Sequence, residues 1–204
     1  MSLAKIAEHY YLDKHASMGR HDYIPAYTEH FQGLQSEPLT ILEIGIGNKE
    51  SGCYRIGNSL RCWRDYFPHA MVHGIDIQDV GATLVDEDRI QTHVADQASE
   101  ADLLRVVQAI GLPLDIVIDD GSHDPYDQVF SFTVLADCLA PDGMYVIEGI
   151  RPPYQEAFAD LSFFSVVNPD VHKFILENFD VVTHDTRQKF DEDDDNFMMV
   201  FTRR

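Results

Sequence analysis

The stretch Thr40–Gly47, TILEIGIG, decides the fold of this chain. Its apolar run contains one acid, Glu43, and ends in two glycines, Gly45 and Gly47. A short apolar run bounded by glycines is typical of a buried strand of a parallel sheet that runs into a tight turn. Glycines let the backbone approach a ligand closely, and a following helix points free N–H groups at the same place. The stretch therefore predicts a nucleotide-binding crevice at the carboxyl end of the first strand.

The dinucleotide fingerprint G-x-G-x-x-G is incomplete in this chain. Gly45–Glu50 reads GIGNKE and lacks the third glycine, so a buried strand followed by an ordinary loop is the alternative. A second apolar strand, Met71–Ile77 (MVHGIDI), follows and carries Asp76 near its end. An acid at this position accepts hydrogen bonds from the hydroxyls of a ribose. The two strands together favour a nucleotide site.

Composition and charge narrow the class of protein. The chain has 204 residues, 45% of them hydrophobic and 25% charged, which suits one globular domain. Its net charge of −20 argues against nucleic acid or an anionic membrane as partner, and its carboxylates suit a hard cation. Cys53, Cys62 and Cys138 form no C-x-x-C pair. We expect free thiols and, without a signal-like start or a long apolar run, a soluble cytoplasmic protein.

Alternating strand and helix patterns predict a doubly wound, mostly parallel α/β sheet of seven strands. Strands are expected at 40–44, 71–77, 90–95, 114–118 and 144–147, and helices at 26–34, 58–67, 99–110, 124–139 and 169–179. Asn58 or Ser59 is expected to cap the second of these helices and Ser99 the third, and residues 141–143 are expected to form a turn. An antiparallel hairpin of strands at 181–184 and 197–202 finishes the sheet, joined by a loop with the acid run Asp191–Asp195. This hairpin is not the plan of the dinucleotide dehydrogenases; it is the plan of the class I S-adenosylmethionine methyltransferases.

The sequence predicts one domain over 1–204, with 1–35 as an N-terminal lid and 150–179 as an insertion on the acceptor side. His21 and Tyr23 follow a glycine in a loop-like stretch of the lid and are candidates to touch a ligand. Four aromatic residues of the insertion are candidate walls of an acceptor pocket, with ordinary core packing as the alternative: Tyr154, Phe158, Phe163 and Phe164.

The stretch Leu114–His123, LDIVIDDGSH, carries the chemistry. Two adjacent acids, Asp119 and Asp120, at the end of a buried strand cost desolvation energy and repel each other. Either they cap the next helix, or something cationic or hydrogen-bonding compensates them. Glu148 ends the neighbouring strand, so Asp120 and Glu148 are expected to face one Mg²⁺, which commonly takes one or two protein carboxylates. His123 then indicates an acid–base group beside the metal.

The sequence resembles the metal-dependent sugar O-methyltransferases of macrolide biosynthesis, of the mycinamicin and tylosin types. The resemblance extends to the cephalosporin-hydroxylase-like group. The resemblance covers about residues 9–150 and rests on shared stretches, of which IVIDDGSH and SLRCWRDYF are the most specific. The others are LDKHASMGRHDY, LEIGIGN, HGIDI, ADQ and YVIEG.

The resemblance implies S-adenosylmethionine and Mg²⁺ as cofactors, a small-molecule hydroxyl, such as one of a natural-product sugar, as methyl acceptor, and a role for each matching residue. Asp120 and Glu148 match metal ligands, and His123 matches the general base. The implied cofactor-binding residues are Glu43, Gly45 and Gly47 at the methionine end, Ser59 at a helix start, Asp76 at the ribose, Asp96 and Gln97 beside the adenine, and Asp119 near the sulfonium. A homo-oligomer stays open.

One departure from the family pattern affects the metal. The family usually has Glu-Asp at the end of the fifth strand, and here Gly149 replaces the Asp. Losing one carboxylate of three should weaken Mg²⁺ binding by about 10- to 100-fold. Two alternatives therefore remain: a cofactor-binding protein with little catalysis, and a nicotinamide oxidoreductase on a similar sheet. A hydrolase is disfavoured because the chain has no G-x-S-x-G elbow.

Overall fold

The computed structural model of the chain describes residues 1–47, 56–80, 84, 87–187 and 195–204. Three features of the sequence analysis lie wholly or mostly outside the described residues: the last positions of the glycine motif, Cys53, and the acid run except Asp195. The strands are β1 (Thr40–Ile44), β2 (Met71–Asp76), β3 (Ile90–Val94), β4 (Leu114–Asp119), β5 (Leu139–Ile147), β6 (Phe179–Asp185) and β7 (Phe197–Arg203). The helices are α1 (Leu3–His9), α2 (Ile24–His30), α3 (Asn58–Tyr66), α4 (Glu100–Ile110), α5 (Pro125–Leu135), α6 (Gln155–Ala159), α7 (Ser162–Val167) and α8 (Pro169–Asn178).

The described strands form one seven-stranded sheet in the order β3-β2-β1-β4-β5-β7-β6. Neighbouring strands among β1 to β5 pair in parallel, and β7 is antiparallel to both β5 and β6. The predicted fold class, including the inserted antiparallel last strand, is confirmed. The strand order reverses between β1 and β4, and a crevice opens at the carboxyl ends of the strands at such a reversal.

Both faces of the sheet are covered, which is why β1 is an almost continuous apolar run. Successive side chains of a strand point to opposite faces, so Ile41 belongs to the same core as Trp63 of α3, and Leu42 to the core on the other face with Phe132 of α5. Trp63 and Phe132 are each fully buried. The two cores hold the carboxyl ends of β1 and β4 rigidly on either side of the crevice.

Two helix starts follow the sequence prediction closely. Ser99 caps α4 by accepting a hydrogen bond from the Asp102 amide at 3.3 Å. Asp124 caps α5, with Pro125 as its first residue. These caps satisfy amides that the first turn of a helix leaves without partners, and the cap of α5 fixes the turn that contains His123.

Several predicted boundaries are wrong by a few residues. Helix α2 begins and ends earlier than 26–34, and α3 is capped by Gly57 in a left-handed conformation rather than by Asn58 or Ser59. Helix α5 ends at Leu135, and β5 already begins at Leu139. The predicted turn at 141–143 therefore lies inside β5, as an irregularity in its pairing with β4. Pairing with β4 on both sides, at Leu139 and again from Met144 onward, keeps these residues within one strand as a bulge.

The segment 150–179 contains α6, α7 and α8, and its aromatic residues pack together. Phe158 and Phe164 are fully buried, and their rings meet edge to face with centroids 5.3 Å apart. Phe163 stacks on Phe158 at 5.1 Å. For these three residues the structure favours core packing, the alternative given above, over walls of a pocket. Tyr154 is half-buried at the edge of this cluster.

Cys62 and Cys138 are free thiols, as predicted. In the part of the chain that the structure describes, no helix has both the length and the apolar character needed to cross a membrane.

Candidate active site

The carboxyl ends of β1 to β4 surround a cavity of about 220 Å³, here called the main cavity. Four residues predicted to bind a cofactor line it: Gly45, Asp76, Asp96 and Gln97. The rest of the wall is mainly apolar or small: Ile44, Ile75, Ile77, Ala95, Gly121, Ser122 and Asp127. A mostly apolar cleft with a few converging polar groups at a topological switch point is the usual form of a nucleotide site.

Backbone amides hold the polar groups of this cavity in place. Asp76 accepts hydrogen bonds from the amides of Ile46 at 3.2 Å and Gln78 at 2.8 Å. Gln97 accepts one from the amide of Ser122 at 2.7 Å and donates one to Asp119 at 3.2 Å. These bonds tie the end of β2 to the segment after β1, and the segment after β3 to the end of β4, so the walls of the cavity are held in place.

A second, smaller cavity of about 70 Å³ adjoins the first and shares Gly45 with it. Two further predicted cofactor residues, Gly47 and Ser59, line it, together with Lys14 and Asp120. The two cavities therefore meet at Gly45 within the crevice, and the second extends to Asp120, the residue that follows β4.

The remaining two predicted cofactor residues, Glu43 and Asp119, line neither cavity. Both are fully buried. Glu43 accepts a hydrogen bond from the indole of Trp63 at 3.1 Å, and burial raises its pKa to about 7. Asp119 accepts hydrogen bonds from Ser131 at 2.5 Å and from Gln97. The structure thus places Asp119 in the wall behind the crevice.

The pKa of Asp119 leads to a prediction about stability. Burial raises this pKa to about 6, because the hydrogen bonds from Ser131, Gly121 and Gln97 only partly offset the desolvation of the carboxylate. Since the folded pKa lies above the unfolded value, the stabilising contribution of the protonated form is complete below the unfolded pKa, about 4, and is lost as the pH rises through 6.

Between pH 4.5 and 7.5 we expect the wild type to lose about 2 kcal/mol relative to Asp119→Asn, whose side chain stays neutral. Urea unfolding of both proteins at the two pH values measures this difference. Asp142→Asn, at an exposed position, is the control and should show no such change. An equal difference between wild type and Asp119→Asn at both pH values would contradict the raised pKa.

Asp120 and Glu148 converge, as predicted, but on a lysine. The ammonium nitrogen of Lys14 lies 2.5 Å from Oδ2 of Asp120 and 2.7 Å from Oε2 of Glu148. The other oxygen of Glu148 accepts a hydrogen bond from the hydroxyl of Tyr27. Burial alone would raise the pKa of Asp120, but Lys14 and His123 outweigh it and hold the pKa below its usual value, whereas burial raises the pKa of Glu148.

His123 lies between two carboxylates. Its Nε2 is 3.0 Å from Oδ1 of Asp120, and its Nδ1 is 2.7 Å from Oδ2 of Asp195. Burial alone would lower the pKa of His123, but the hydrogen bonds and charges of these two acids outweigh it and raise the pKa to about 10. In this arrangement the imidazole is protonated at neutral pH.

His21 and Tyr23, in the segment predicted to be a lid, contact the segment that carries Asp195. His21 Nδ1 is 2.8 Å from Oδ1 of Asn196, and the Tyr23 hydroxyl donates a hydrogen bond to the backbone carbonyl of Asp195 at 2.7 Å. Both side chains are buried. They support the partner of His123, a role that the loop-like sequence around them did not indicate.

The structure explains why position 149 is a glycine. Gly149 is in the left-handed region at φ 62°, and a Cβ there would lie 2.3 Å from Cε1 of His123. An Asp at this position, as in the family pattern, would require the imidazole to move. The replacement of the family's Asp by Gly149 is therefore coupled to the position of His123.

The residues present fit a magnesium ion by the chemistry of their donors. Asp120 and Glu148 each direct one oxygen to the same point, and Oε1 of Glu43, which accepts no hydrogen bond among the described residues, lies 3.7 Å from the Lys14 nitrogen at that point. Mg²⁺ binds with one or two protein carboxylates plus water or substrate oxygens. A ready-made set of three His, Cys, Asp or Glu ligands is absent from the described residues.

Lys14, Asp195, Tyr27 and Ser131 are parts of the site that the sequence analysis did not assign. Lys14 belongs to the stretch LDKHASMGRHDY, which carried part of the family resemblance, so that stretch was the available signal. Asp195 closes the acid run DEDDD, whose composition indicated only a solvated loop. For Tyr27 and Ser131 the sequence offered no signal beyond a helix pattern.

No family model matches the chain. Its sequence is similar to the 8-demethyl-8-alpha-L-rhamnosyl tetracenomycin-C 2'-O-methyltransferase of Streptomyces olivaceus, with 41% identity over 140 residues, 69% of this chain and 36% of that protein. It is also similar to the mycinamicin VI 2''-O-methyltransferase of Micromonospora griseorubida, with 36% identity over 156 residues, 76% of this chain and 38% of that protein. The chain therefore spans little more than a third of these relatives.

Among solved structures, the fold is similar to the MycE methyltransferase from the mycinamycin biosynthetic pathway in complex with Mg and SAH. The TM-score is 0.76 at 30% sequence identity, over 100% of this chain and 55% of that chain. An rRNA methylase from Streptococcus thermophilus has a TM-score of 0.57 at 11% identity over 86% of this chain and 92% of that one, which shows the shared fold alone.

Proposed function

We propose that this chain, a homologue of the macrolide-sugar O-methyltransferases with the class I methyltransferase fold, methylates a hydroxyl group of a small molecule with S-adenosylmethionine. The observation that carries the proposal is the course of the crevice, whose two cavities share Gly45 and lead from Asp76 and Gln97 to Asp120, a hydrogen-bond partner of His123. A cofactor seated along it would have its nucleoside in the larger part and its reactive end beside the acids.

The chain's own residues would bind the cofactor along this crevice. Asp76 would accept hydrogen bonds from the ribose hydroxyls, and Ile77 and Ala95 would pack on the adenine between Asp96 and Gln97. Gly45 and Gly47 leave room for the methionine portion, near Ser59. Bound there, S-adenosylmethionine supplies a methyl group on a positively charged sulfur, which needs positioning more than activation.

His123 is the proposed general base, and its two carboxylate partners orient the ring. Because it is protonated at neutral pH in this arrangement, it accepts a proton only after one of these partners is drawn away. A cation held by Asp120 and Glu148 would weaken one of these interactions, because its positive charge would offset the negative charge of the Asp120 carboxylate that faces Nε2. His123, fixed through Nδ1 by Asp195, would then return to a pKa nearer its ordinary value.

Asp120 and Glu148 are the proposed metal ligands. A Mg²⁺ ion held there would lower the pKa of an acceptor hydroxyl. The MycE structure holds Mg, which supports this part of the proposal, and the donor chemistry of this chain agrees with it. Gly149 and the position of Lys14 favour the second candidate, a cofactor-binding protein whose metal site is weakened.

We propose a sugar hydroxyl of a glycoside as the acceptor, because the curated relatives are named for rhamnosyl and macrolide acceptors. The segment 1–35 acts as a lid in this proposal, since Lys14 and Tyr27 reach the acids of the crevice. The segment 150–179 lies next in the chain after Glu148 and is proposed to form the acceptor side, with Tyr154 as its most accessible aromatic residue.

Calorimetric titration with S-adenosylmethionine tests the cofactor. We expect binding by the wild type and an affinity about 10- to 100-fold lower for Asp76→Asn, because hydrogen bonds to a charged acceptor contribute about 1.5–3 kcal/mol. Asp79→Asn, three residues away and exposed, is the matched control and should bind like the wild type. If the wild type binds NAD and not S-adenosylmethionine, the proposed function is wrong and the oxidoreductase alternative is right.

A further inference from the structure

Lys14 is an ammonium group enclosed by carboxylates. Its side chain is 1% exposed, and its nitrogen lies 2.5 Å from Asp120, 2.7 Å from Glu148 and 3.7 Å from Glu43. The backbone holds it there as well, because the amides of Tyr23 and Ile24 both donate hydrogen bonds to the Lys14 carbonyl. A buried lysine is retained only when its charge is paired, and here it balances acids from three strand ends.

In each of these three acids, a neighbouring side chain contacts one carboxylate oxygen and the other oxygen faces Lys14. Tyr27 donates a hydrogen bond to Oε1 of Glu148, and Trp63 donates one to Oε2 of Glu43. Nε2 of His123 lies 3.0 Å from Oδ1 of Asp120. Each carboxylate thus has one oxygen fixed by a neighbour and one directed at Lys14. The arrangement presents a preformed position for a single cation.

A divalent ion and the ammonium cannot share that position. Mg²⁺ needs its oxygen ligands at about 2.0–2.1 Å in near-octahedral geometry, whereas the Lys14 nitrogen already lies within hydrogen-bond distance of the same two oxygens. Two positive charges at this separation would also repel strongly in a buried site. Either cation compensates the acids, and each excludes the other.

We propose that Lys14 is a tethered competitor for the metal, so that a divalent cation binds between Asp120 and Glu148 only when the Lys14 ammonium withdraws. The inference rests on the metal site of the proposed function and adds a determinant of its affinity. Metal binding is thereby coupled to the lid, because Lys14 lies between α1 and α2. The lid segment around Lys14 is released when the metal enters and closes again when it leaves.

Mg²⁺ titration of Lys14→Met tests the competition. Methionine has a similar length and no charge, so we expect Mg²⁺ to bind this variant about tenfold more tightly than the wild type, or better. Lys5→Met, on the exposed face of α1, is the matched control and should bind Mg²⁺ like the wild type. Equal or weaker binding by Lys14→Met would overturn the inference and leave the metal site itself intact.

A second measurement uses the unaltered protein, because removal of the Lys14 charge leaves the buried Glu43 and Glu148 and the partly buried Asp120 uncompensated, and the variant could fail to fold. Labelling of lysines with a small acylating reagent, read by mass spectrometry, should modify Lys14 slowly without metal and several-fold faster at saturating Mg²⁺. Unchanged labelling of Lys14 while calorimetry records bound Mg²⁺ would overturn the inference. If neither protein binds Mg²⁺ although S-adenosylmethionine binds, the metal part of the proposed function fails and the inference fails with it.

Discussion

A His123→Ala variant is expected to transfer methyl groups about 10²- to 10⁴-fold more slowly than the wild type, because it lacks the group that accepts the proton of the acceptor hydroxyl. His123 contacts Asp120 and Asp195 and lines neither cavity. Its loss should therefore leave the affinity for S-adenosylmethionine nearly unchanged. Formation of S-adenosylhomocysteine with a glycoside acceptor measures the first quantity, and calorimetry measures the second.

The exposed His69 offers a matched control. His69→Ala removes the same imidazole from the loop before β2, and its rate of transfer should equal that of the wild type. A His123→Ala variant that keeps its rate would contradict the general-base role. A variant that loses cofactor binding would show instead that His123 mainly supports the crevice.

A Gly45→Ala variant is expected to be destabilised by about 3 kcal/mol or more, because its new methyl group has no room. Gly45 ends β1 at φ +81°, and a Cβ there would lie 2.1 Å from the backbone carbonyl oxygen of Asp120 and 2.8 Å from Cα of Gly121. The obstacle is backbone rather than a flexible side chain, so β1 and β4 must separate. Urea unfolding measures the change in the free energy of unfolding.

Gly33→Ala is the control that distinguishes the effect of the steric clash from the effect of backbone strain. Gly33 has a similar φ of +87°, but nothing lies within 4 Å of the position of its Cβ. It should therefore lose only about 1 kcal/mol, the cost of a left-handed conformation for a residue with a side chain. Equal losses for the two variants would show that the approach of Gly45 to the Asp120 backbone is looser than described. Because Gly45 lines both cavities, the separation of β1 and β4 should also weaken cofactor binding.

The layout of the sheet could be predicted from sequence because it depends on local, periodic patterns. Apolar runs ending in glycines or acids located β1, β2 and β4, and capping residues such as Ser99 located the starts of helices. The boundary error at β5 has a physical cause outside the local sequence. Pairing with β4 on both sides of 141–143 keeps the predicted turn within one strand as a bulge, and the local sequence carries no record of that neighbour.

The candidate site was predicted in part, because the positions of its strand ends follow from the predicted sheet. Residues at the carboxyl ends of parallel strands meet because topology brings them together, so Asp76 and Asp120 could be assigned to one crevice, whereas Gln97 was implied by the family resemblance. How deeply each acid of the site is buried could not be predicted from the sequence. The sequence places Asp119 and Asp120 side by side, yet one is sealed behind the wall and the other faces the second cavity, because successive residues at a strand end point in different directions.

The sequence by itself determined the doubly wound sheet, the position of the crevice and the acids and histidine beside it, since each is written in short contiguous stretches. Only the tertiary structure decided what surrounds those acids. Lys14, 106 residues before Asp120 in the chain, supplies the charge between the carboxylates, and Asp195, 72 residues after His123, holds the imidazole. Buried charges must be paired, and a chain finds those partners by folding rather than by sequence proximity.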